Sequence, residues 1–228
     1  MTTPAAVQGR TLRPARLRTD LREVTLWLMP LFALLTTFAV LETARFSLGT
    51  RAGYAVGLLF YWGVWCLVLP ITMVGIRGVK AMFGPSRQEP RLREIVLLVL
   101  PPVIGFSTLF PLLLWIGSVR VYAAALGIAI VNGTLEEVLW RGLYLEVFGR
   151  RWWAGVIYPA IAFGLWHVAP IGARWTLSTG MVSIVVVAAT LVGLSYGLVV
   201  RHTRSIRWAV LSHILMNFAG LGVLAYFA

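Results

Sequence analysis

The sequence predicts an all-α fold, a polytopic membrane bundle of about seven transmembrane helices, within a range of six to eight. Of its 228 residues, 59% are hydrophobic and 12% are charged, whereas soluble domains are typically about 45 to 50% apolar. The mean hydropathy is +0.85. Apolar runs of about 20 residues, the length that a helix needs to cross a bilayer, recur between short clusters of arginine. Little chain remains for a soluble domain, so we expect a single transmembrane domain.

The apolar runs set the predicted boundaries. Residues 1–24 carry five arginines and no apolar segment, which predicts a basic cytoplasmic tail ahead of a transmembrane domain at 25–228. Pro101 and Pro102 predict a kink in the third span. The predicted spans are roughly 25–44, 53–76, 95–117, 121–148, 153–169, 181–200 and 206–227.

The basic residues predict the orientation. Fifteen of the 20 Lys and Arg residues fall in segments on the side of the tail, and four fall on the other side. Because cytoplasmic loops are enriched in Lys and Arg, this places the amino terminus in the cytoplasm. The compact, arginine-rich chain suggests a multi-pass protein of a bacterial inner membrane. The net charge of +12 does not predict nucleic-acid binding, since the basic residues form short clusters between apolar runs.

The strongest candidate for chemistry is the segment 134–141, which sets two acids and an arginine within an apolar run. An unpaired charge at mid-bilayer costs about 2.5 to 3.5 kcal/mol. Glu137 and Arg141 lie four residues apart and share a helix face, so we expect them to form an ion pair. Glu136 projects about 100° away and needs a different partner.

The same segment also suggests a helix start. Asn132-Gly133 is a turn signal, and Thr134 followed three residues later by Glu137 fits a capping box. The fourth span is therefore predicted to be broken here, with Glu136 in the first turn of a new helix. One long tilted helix is the alternative.

Two of the three histidines lie in later apolar spans. His167 follows Phe163 by four residues, and His213 precedes Asn217 by four, so each pair shares a helix face. Either histidine alone could be a hydrogen-bonded core residue. At 1.5 Å per residue, Glu136 and His167 lie about 20 to 25 Å from the inner face but His213 only about 9 Å. For these three side chains to form one site, either the 201–207 loop must fold into the bundle or a water-filled cavity must connect residues that lie at different depths in the membrane.

Three motifs thus occur in order on the late spans: Glu136-Glu137-x-x-x-Arg141, Phe163-x-x-x-His167 and His213-x-x-x-Asn217. Together they resemble the signature of the CAAX protease and bacteriocin-processing (CPBP) family, whose members are intramembrane endopeptidases and include the type II CAAX prenyl proteases. The resemblance covers a core of about 121–227 and places the active site within the later helices.

The resemblance implies an enzyme that hydrolyses a peptide bond in a membrane-associated protein or peptide. It implies that Glu136 deprotonates the attacking water and that His167 helps to hold this water. His213 and Asn217 would donate hydrogen bonds to the oxyanion. The implied supporting residues are Glu137, Arg141 and Phe163.

Three alternatives remain open. Two Glu and two His could bind zinc, but the His-Glu-x-x-His spacing is absent and Asn is a poor ligand, so we expect no cofactor. A catalytically idle member could instead act as a membrane binding partner of the bacteriocin-immunity type. A transporter is a third possibility, although the acids and histidines form one cluster rather than a relay. The expected partners are membrane lipid and a membrane-associated substrate, such as a leader peptide or a sorting tail.

Overall fold

The computed structural model describes residues 14–116, 118–149, 151–172 and 178–221. These residues form helices joined by short turns and contain no strand, which confirms the predicted all-α class. The helices are α1 (Pro14–Leu48), α2 (Thr50–Met82), α3 (Leu92–Thr108), α4 (Phe110–Ile116), α5 (Val119–Phe148), α6 (Trp153–Gly172), α7 (Thr179–Thr203) and α8 (207–221).

Five of the described helices are long and apolar enough to cross a membrane: α1 from Leu21, α2, α5, α6 and α7. They coincide with the first, second, fourth, fifth and sixth predicted spans. The third predicted span is divided at Leu109 into α3 and α4. The seventh corresponds to α8, and the predicted residues beyond 221 lie outside the described part. The chain is therefore a multi-pass membrane protein.

The predicted tail is described only in part. Residues 1–13 lie outside the described residues, and α1 begins at Pro14. The later arginines of the tail, from Arg16 onward, therefore belong to the first helix.

The segments that the basic residues predict to be cytoplasmic lie together at one end of the bundle. The Arg87 amide donates to the Thr203 carbonyl at 2.8 Å, and the Ile206 amide donates to the Met82 carbonyl at 3.0 Å. Thr203 and Ile206 are at most 1% exposed. Between the two loop alternatives, the structure thus favours the first, because the segment joining α7 to α8 is folded against the bundle.

Helix α5 is continuous from Val119 to Phe148, so the predicted break at Asn132-Gly133 is wrong and the long-helix alternative is correct. Gly133 does not form a turn. It allows α5 and α8 to pack closely together. A Cβ built there would lie 2.9 Å from the Ile214 amide nitrogen of α8. The Asn132 side chain bonds to side chains of α2 and α5. Glu136 consequently lies mid-helix, away from any helix N-terminus.

Just after Glu137, α5 widens into a π-helical stretch, Val138–Leu143, in which every residue is buried. Aromatic side chains fix this stretch against the front helices. Trp140 Nε1 donates to the Tyr61 hydroxyl of α2 at 2.8 Å. One turn on, the Tyr144 hydroxyl donates to the Leu26 carbonyl of α1 at 2.8 Å. Wide turns of this kind are frequent at functional sites, where they redirect side chains.

Candidate active site

The Glu136 carboxylate is 2% exposed and lies between α5 and α8. Its Oε2 accepts a hydrogen bond from Asn132 Nδ2 at 2.9 Å. The same oxygen lies 3.5 Å from His213 Nε2. Glu136 and His213, which the sequence placed on separate spans, therefore face one another.

The Asn132 amide is held from its other side by α2. Its Oδ1 accepts from Trp62 Nε1 at 2.8 Å. An indole nitrogen can only donate, so the oxygen of the amide must face Trp62 and the nitrogen must face Glu136. Sequence reasoning missed both residues. Asn132 lies four residues before Glu136, and this helical spacing could have identified it. Nothing in the sequence pointed to Trp62.

Glu137 has charged partners. Its Oε1 lies 3.1 Å from Arg141 Nη1 and 2.8 Å from His213 Nδ1, and all three side chains are at most 2% exposed. The expected ion pair between Glu137 and Arg141 is thus present. An ionised carboxylate only accepts, so His213 Nδ1 carries a proton. The second role of Glu137, to orient the imidazole of His213, was not predicted.

Arg141 also contacts aromatic rings. Its Cζ lies 4.3 Å from the centroid of the Phe163 ring and 5.7 Å from that of Tyr196. Cation–π contacts strengthen when water is excluded. Phe163 therefore joins α6 to the charged residues of α5. Tyr196 on α7, which the sequence did not single out, makes the corresponding contact from the other side.

His167 lies at a turn within α6, between Tyr158–Trp166 and Val168–Gly172, and is partly buried. Its Nδ1 lies 2.8 Å from the Phe163 carbonyl oxygen. A carbonyl only accepts, so Nδ1 carries the proton and Nε2 is left for another partner. The Phe163 ring links the two histidines, with its centroid 4.8 Å from that of His167 and 6.1 Å from that of His213.

Asn217 lies one helical turn beyond His213 on α8 and is 6% exposed. Its Nδ2 has no hydrogen-bond partner within the described parts of the chain. A buried amide nitrogen without a partner is uncommon, and in a functional cluster it is a free donor for a bound group. Asn217 thus lies on the same helix as His213, and its Nδ2 is available to donate a hydrogen bond to a bound group.

The zinc alternative can be compared with the arrangement of the candidate ligands. Among the described residues, no three side chains of His, Cys, Asp or Glu lie together in a way that could hold a metal. Both nitrogens of His213 face carboxylates, and Nδ1 of His167 faces a carbonyl. The expectation of no cofactor, with zinc as the alternative, remains a prediction.

Residues 118–219 match the family model described as type II CAAX prenyl endopeptidase Rce1-like. The matched region spans α5, α6, α7 and nearly all of α8, and it contains all three motifs. No curated protein and no solved structure matches the chain. The family match agrees with the order of the motifs and with their meeting in one buried cluster. Residues 118–219 are therefore similar to the Rce1-like family of type II CAAX prenyl endopeptidases, which is the resemblance that the three motifs indicated.

Proposed function

We propose that this protein is an intramembrane endopeptidase in which Glu136 activates the water that hydrolyses a peptide bond of a membrane-associated protein or peptide. One observation carries the proposal: Glu136 is a buried carboxylate that accepts a hydrogen bond from the Asn132 amide and faces His213 Nε2, whereas Arg141 pairs with Glu137. A buried acid held in place by a neutral amide is available for proton transfer. The similarity of residues 118–219 to a protease family supports the same reaction class.

Glu136 acts as the base through one particular oxygen. Both contacts found for it in the described parts of the chain engage Oε2. Oε1 therefore takes a proton from the water as the water oxygen attacks the scissile carbonyl carbon. The tetrahedral intermediate collapses when the C–N bond breaks, and the protonated Glu136 returns its proton to the leaving amine.

His213 and Asn217 stabilise the oxyanion of that intermediate. Asn217 supplies its unused Nδ2. His213 holds one proton on Nδ1 toward Glu137, so it donates from Nε2 only when it is protonated on both nitrogens. Loss of one oxyanion donor costs about 10²- to 10³-fold in kcat in other hydrolases.

His167 helps to hold the attacking water through Nε2, because Nδ1 is bound to the Phe163 carbonyl. Arg141 and Phe163 act as supports, the first on Glu137 and the second between the two histidines. No metal takes part in this mechanism. The cytoplasmic amino terminus and the bacterial inner membrane belong to the same proposal, with leader peptides or carboxyl-terminal sorting tails as substrates.

The experiment compares protein termini in a deletion strain of the host that carries wild-type protein, Glu136→Gln or Glu146→Gln. Glu146 lies on the same helix but is exposed, so its substitution is a matched control. We expect Glu136→Gln to accumulate the same uncleaved termini as the deletion strain, since loss of a general base costs about 10²- to 10⁴-fold. Glu146→Gln should process them normally at equal membrane abundance.

Two outcomes would overturn the proposal. Processing by Glu136→Gln at the wild-type rate would remove Glu136 from the chemistry. A deletion strain with unchanged termini would instead favour the idle-partner alternative.

A further inference from the structure

A cavity lies away from the candidate active site, at the end of the bundle where α3 begins and α7 ends. Its volume is about 760 Å³. Three separate parts of the chain line it: the 83–91 loop with the start of α3, the start of α6, and the end of α7. The charged and aromatic residues in its wall are Arg87, Arg93, Glu94, Trp152, Arg201, His202 and Arg204.

The cavity has an excess of positive charge. Glu94 is the one acid in the wall, and it is engaged by its neighbours, with Oε2 accepting from the Arg91 amide at 3.0 Å and Oε1 from Arg93 Nε at 2.6 Å. In the described parts of the chain, no carboxylate lies within ion-pair distance of the other three arginines of the wall, Arg87, Arg201 and Arg204.

The fold constrains Arg201 through its side chain, and Arg87 and Arg204 through their backbone. Arg201 stacks on Trp152, with Cζ 4.9 Å from the ring centroid. Its Nη1 is withdrawn from solvent and has no hydrogen-bond partner among the described residues. Arg204 has a φ of 58°, and no other non-glycine residue in the described part has a positive φ. An ordinary residue rarely adopts this left-handed backbone conformation. The Arg87 amide ties the 83–91 loop to Thr203 at 2.8 Å.

The surroundings of the cavity are those of a membrane interface. Directly after Glu94, α3 turns an apolar face outward, with Ile95, Val96 and Val99 between 46% and 52% exposed. Trp152 and Trp153 are exposed beside the cavity, and tryptophan is enriched at the level of lipid headgroups. A ligand with a charged head and an apolar tail would meet a matching surface at both of its ends.

We propose that this cavity binds the phosphate group of an anionic phospholipid, whose acyl chains lie along the outer face of α3. Guanidinium groups bind phosphate oxygens in a planar, often bidentate manner, and three arginines without an ion-pair partner in the described parts of the chain line this cavity. The competing explanation is that these arginines serve only to orient the loops during insertion. In that case the protein would show no saturable preference for an anionic headgroup.

The test measures lipid binding to purified full-length protein in neutral phosphatidylcholine nanodiscs, titrated with phosphatidylglycerol. The cavity variant is Arg201→Gln with Arg204→Gln. The matched control is Arg51→Gln with Arg120→Gln, which removes the same charge from two exposed residues elsewhere. We expect saturable binding by wild type and control, and a dissociation constant raised at least about tenfold in the cavity variant. Arg87→Gln, in an exposed loop, provides a second cavity variant should the first fail to fold.

A parallel titration with inorganic phosphate distinguishes the sources of the ligand. Displacement of phosphatidylglycerol by inorganic phosphate at millimolar concentration would support a site for the phosphate group itself. Lack of displacement would support a site for the whole lipid. Equal affinities in the cavity and control variants, or equal binding of neutral and anionic lipid, would overturn the proposal.

Discussion

At the scale of single residues, two adjacent glutamates lie in different surroundings. Glu137 shares Oε1 between Arg141 and His213, whereas the hydrogen bond to Glu136 comes from the neutral amide of Asn132. The 100° between successive helix positions was enough to predict that Glu137 pairs with Arg141 and that Glu136 does not. The partner of Glu136 could not be predicted in the same way, because Asn132 is fixed by Trp62, which lies 70 residues earlier in the chain.

Trp62 tests whether this hydrogen-bond chain matters for catalysis. In Trp62→Phe an aromatic ring is kept but the indole N–H donor is lost, so the Asn132 amide can turn its oxygen toward Glu136. A net hydrogen bond is worth about 1 kcal/mol, which corresponds to roughly a fivefold change in a rate constant. We expect kcat for a cleaved substrate to fall about fivefold while KM stays near the wild-type value.

Trp65→Phe is the matched control for this substitution. Trp65 lies on the same helix and donates from Nε1 to the Thr36 hydroxyl at 3.1 Å, away from Glu136. A loss of kcat that is equal in the two variants would mean that the indole donors stabilise the fold and do not position the base.

At the scale of elements, α5, α6 and α8 carry the candidate site, and the sequence was misleading about α5. Asn132-Gly133 and Thr134 satisfy the local rules for a turn and a cap, yet α5 runs through them. Those rules consider only neighbours in sequence. Here Gly133 is needed because the backbone of α8 passes close by, and Asn132 is satisfied by side chains. Tertiary packing therefore outweighed a local turn signal.

Gly133 provides a test of this close packing. In Gly133→Ala the new Cβ would meet the Ile214 amide nitrogen at 2.9 Å and the His213 carbonyl carbon at 3.2 Å. We expect α8 to be displaced, the melting temperature to fall and cleavage to be reduced, because overpacking typically costs about 1 to 3 kcal/mol.

Gly127→Ala is the control, since it lies on the same helix and a Cβ there would meet nothing within 4 Å. Thermal unfolding in detergent and substrate cleavage give the two readouts. If Gly133→Ala has the same melting temperature and the same cleavage rate as Gly127→Ala, the close approach of α5 and α8 at this position is not needed for stability or for cleavage.

At the scale of the whole molecule, the front helices contact the candidate site, whose residues lie in the back half of the chain. The match covers residues 118–219, but Trp62 and Tyr61 of α2 contact Asn132 and Trp140 of α5. Hydrophobicity alone predicted most of the helices, because a bilayer admits few other structures. It could not predict the division of the third span at Leu109, or which helices pack together, since lipid-facing and buried apolar residues look alike in sequence.

The orientation of the molecule can be tested with introduced cysteines. Cys66, the single cysteine of the sequence, is fully buried and can be replaced by alanine. Thr50 and Gln88 are exposed, the first in the predicted outer connection and the second in the predicted inner loop. In spheroplasts we expect a membrane-impermeant maleimide to label Thr50→Cys and to reach Gln88→Cys only after lysis. The opposite pattern would mean that the basic loops face outward.

The central claim is that Glu136, without a metal, activates the water that cleaves the substrate. The most direct measurement is the initial rate of cleavage of a substrate, identified from the accumulated termini, by purified protein in liposomes after exhaustive chelation. We expect the chelated wild-type protein to keep its full cleavage rate. We expect the cleavage rate of chelated Glu136→Gln to be at least about 100-fold lower. Equal rates for the two proteins, or a wild-type rate that is lost on chelation and restored specifically by zinc, would contradict the claim.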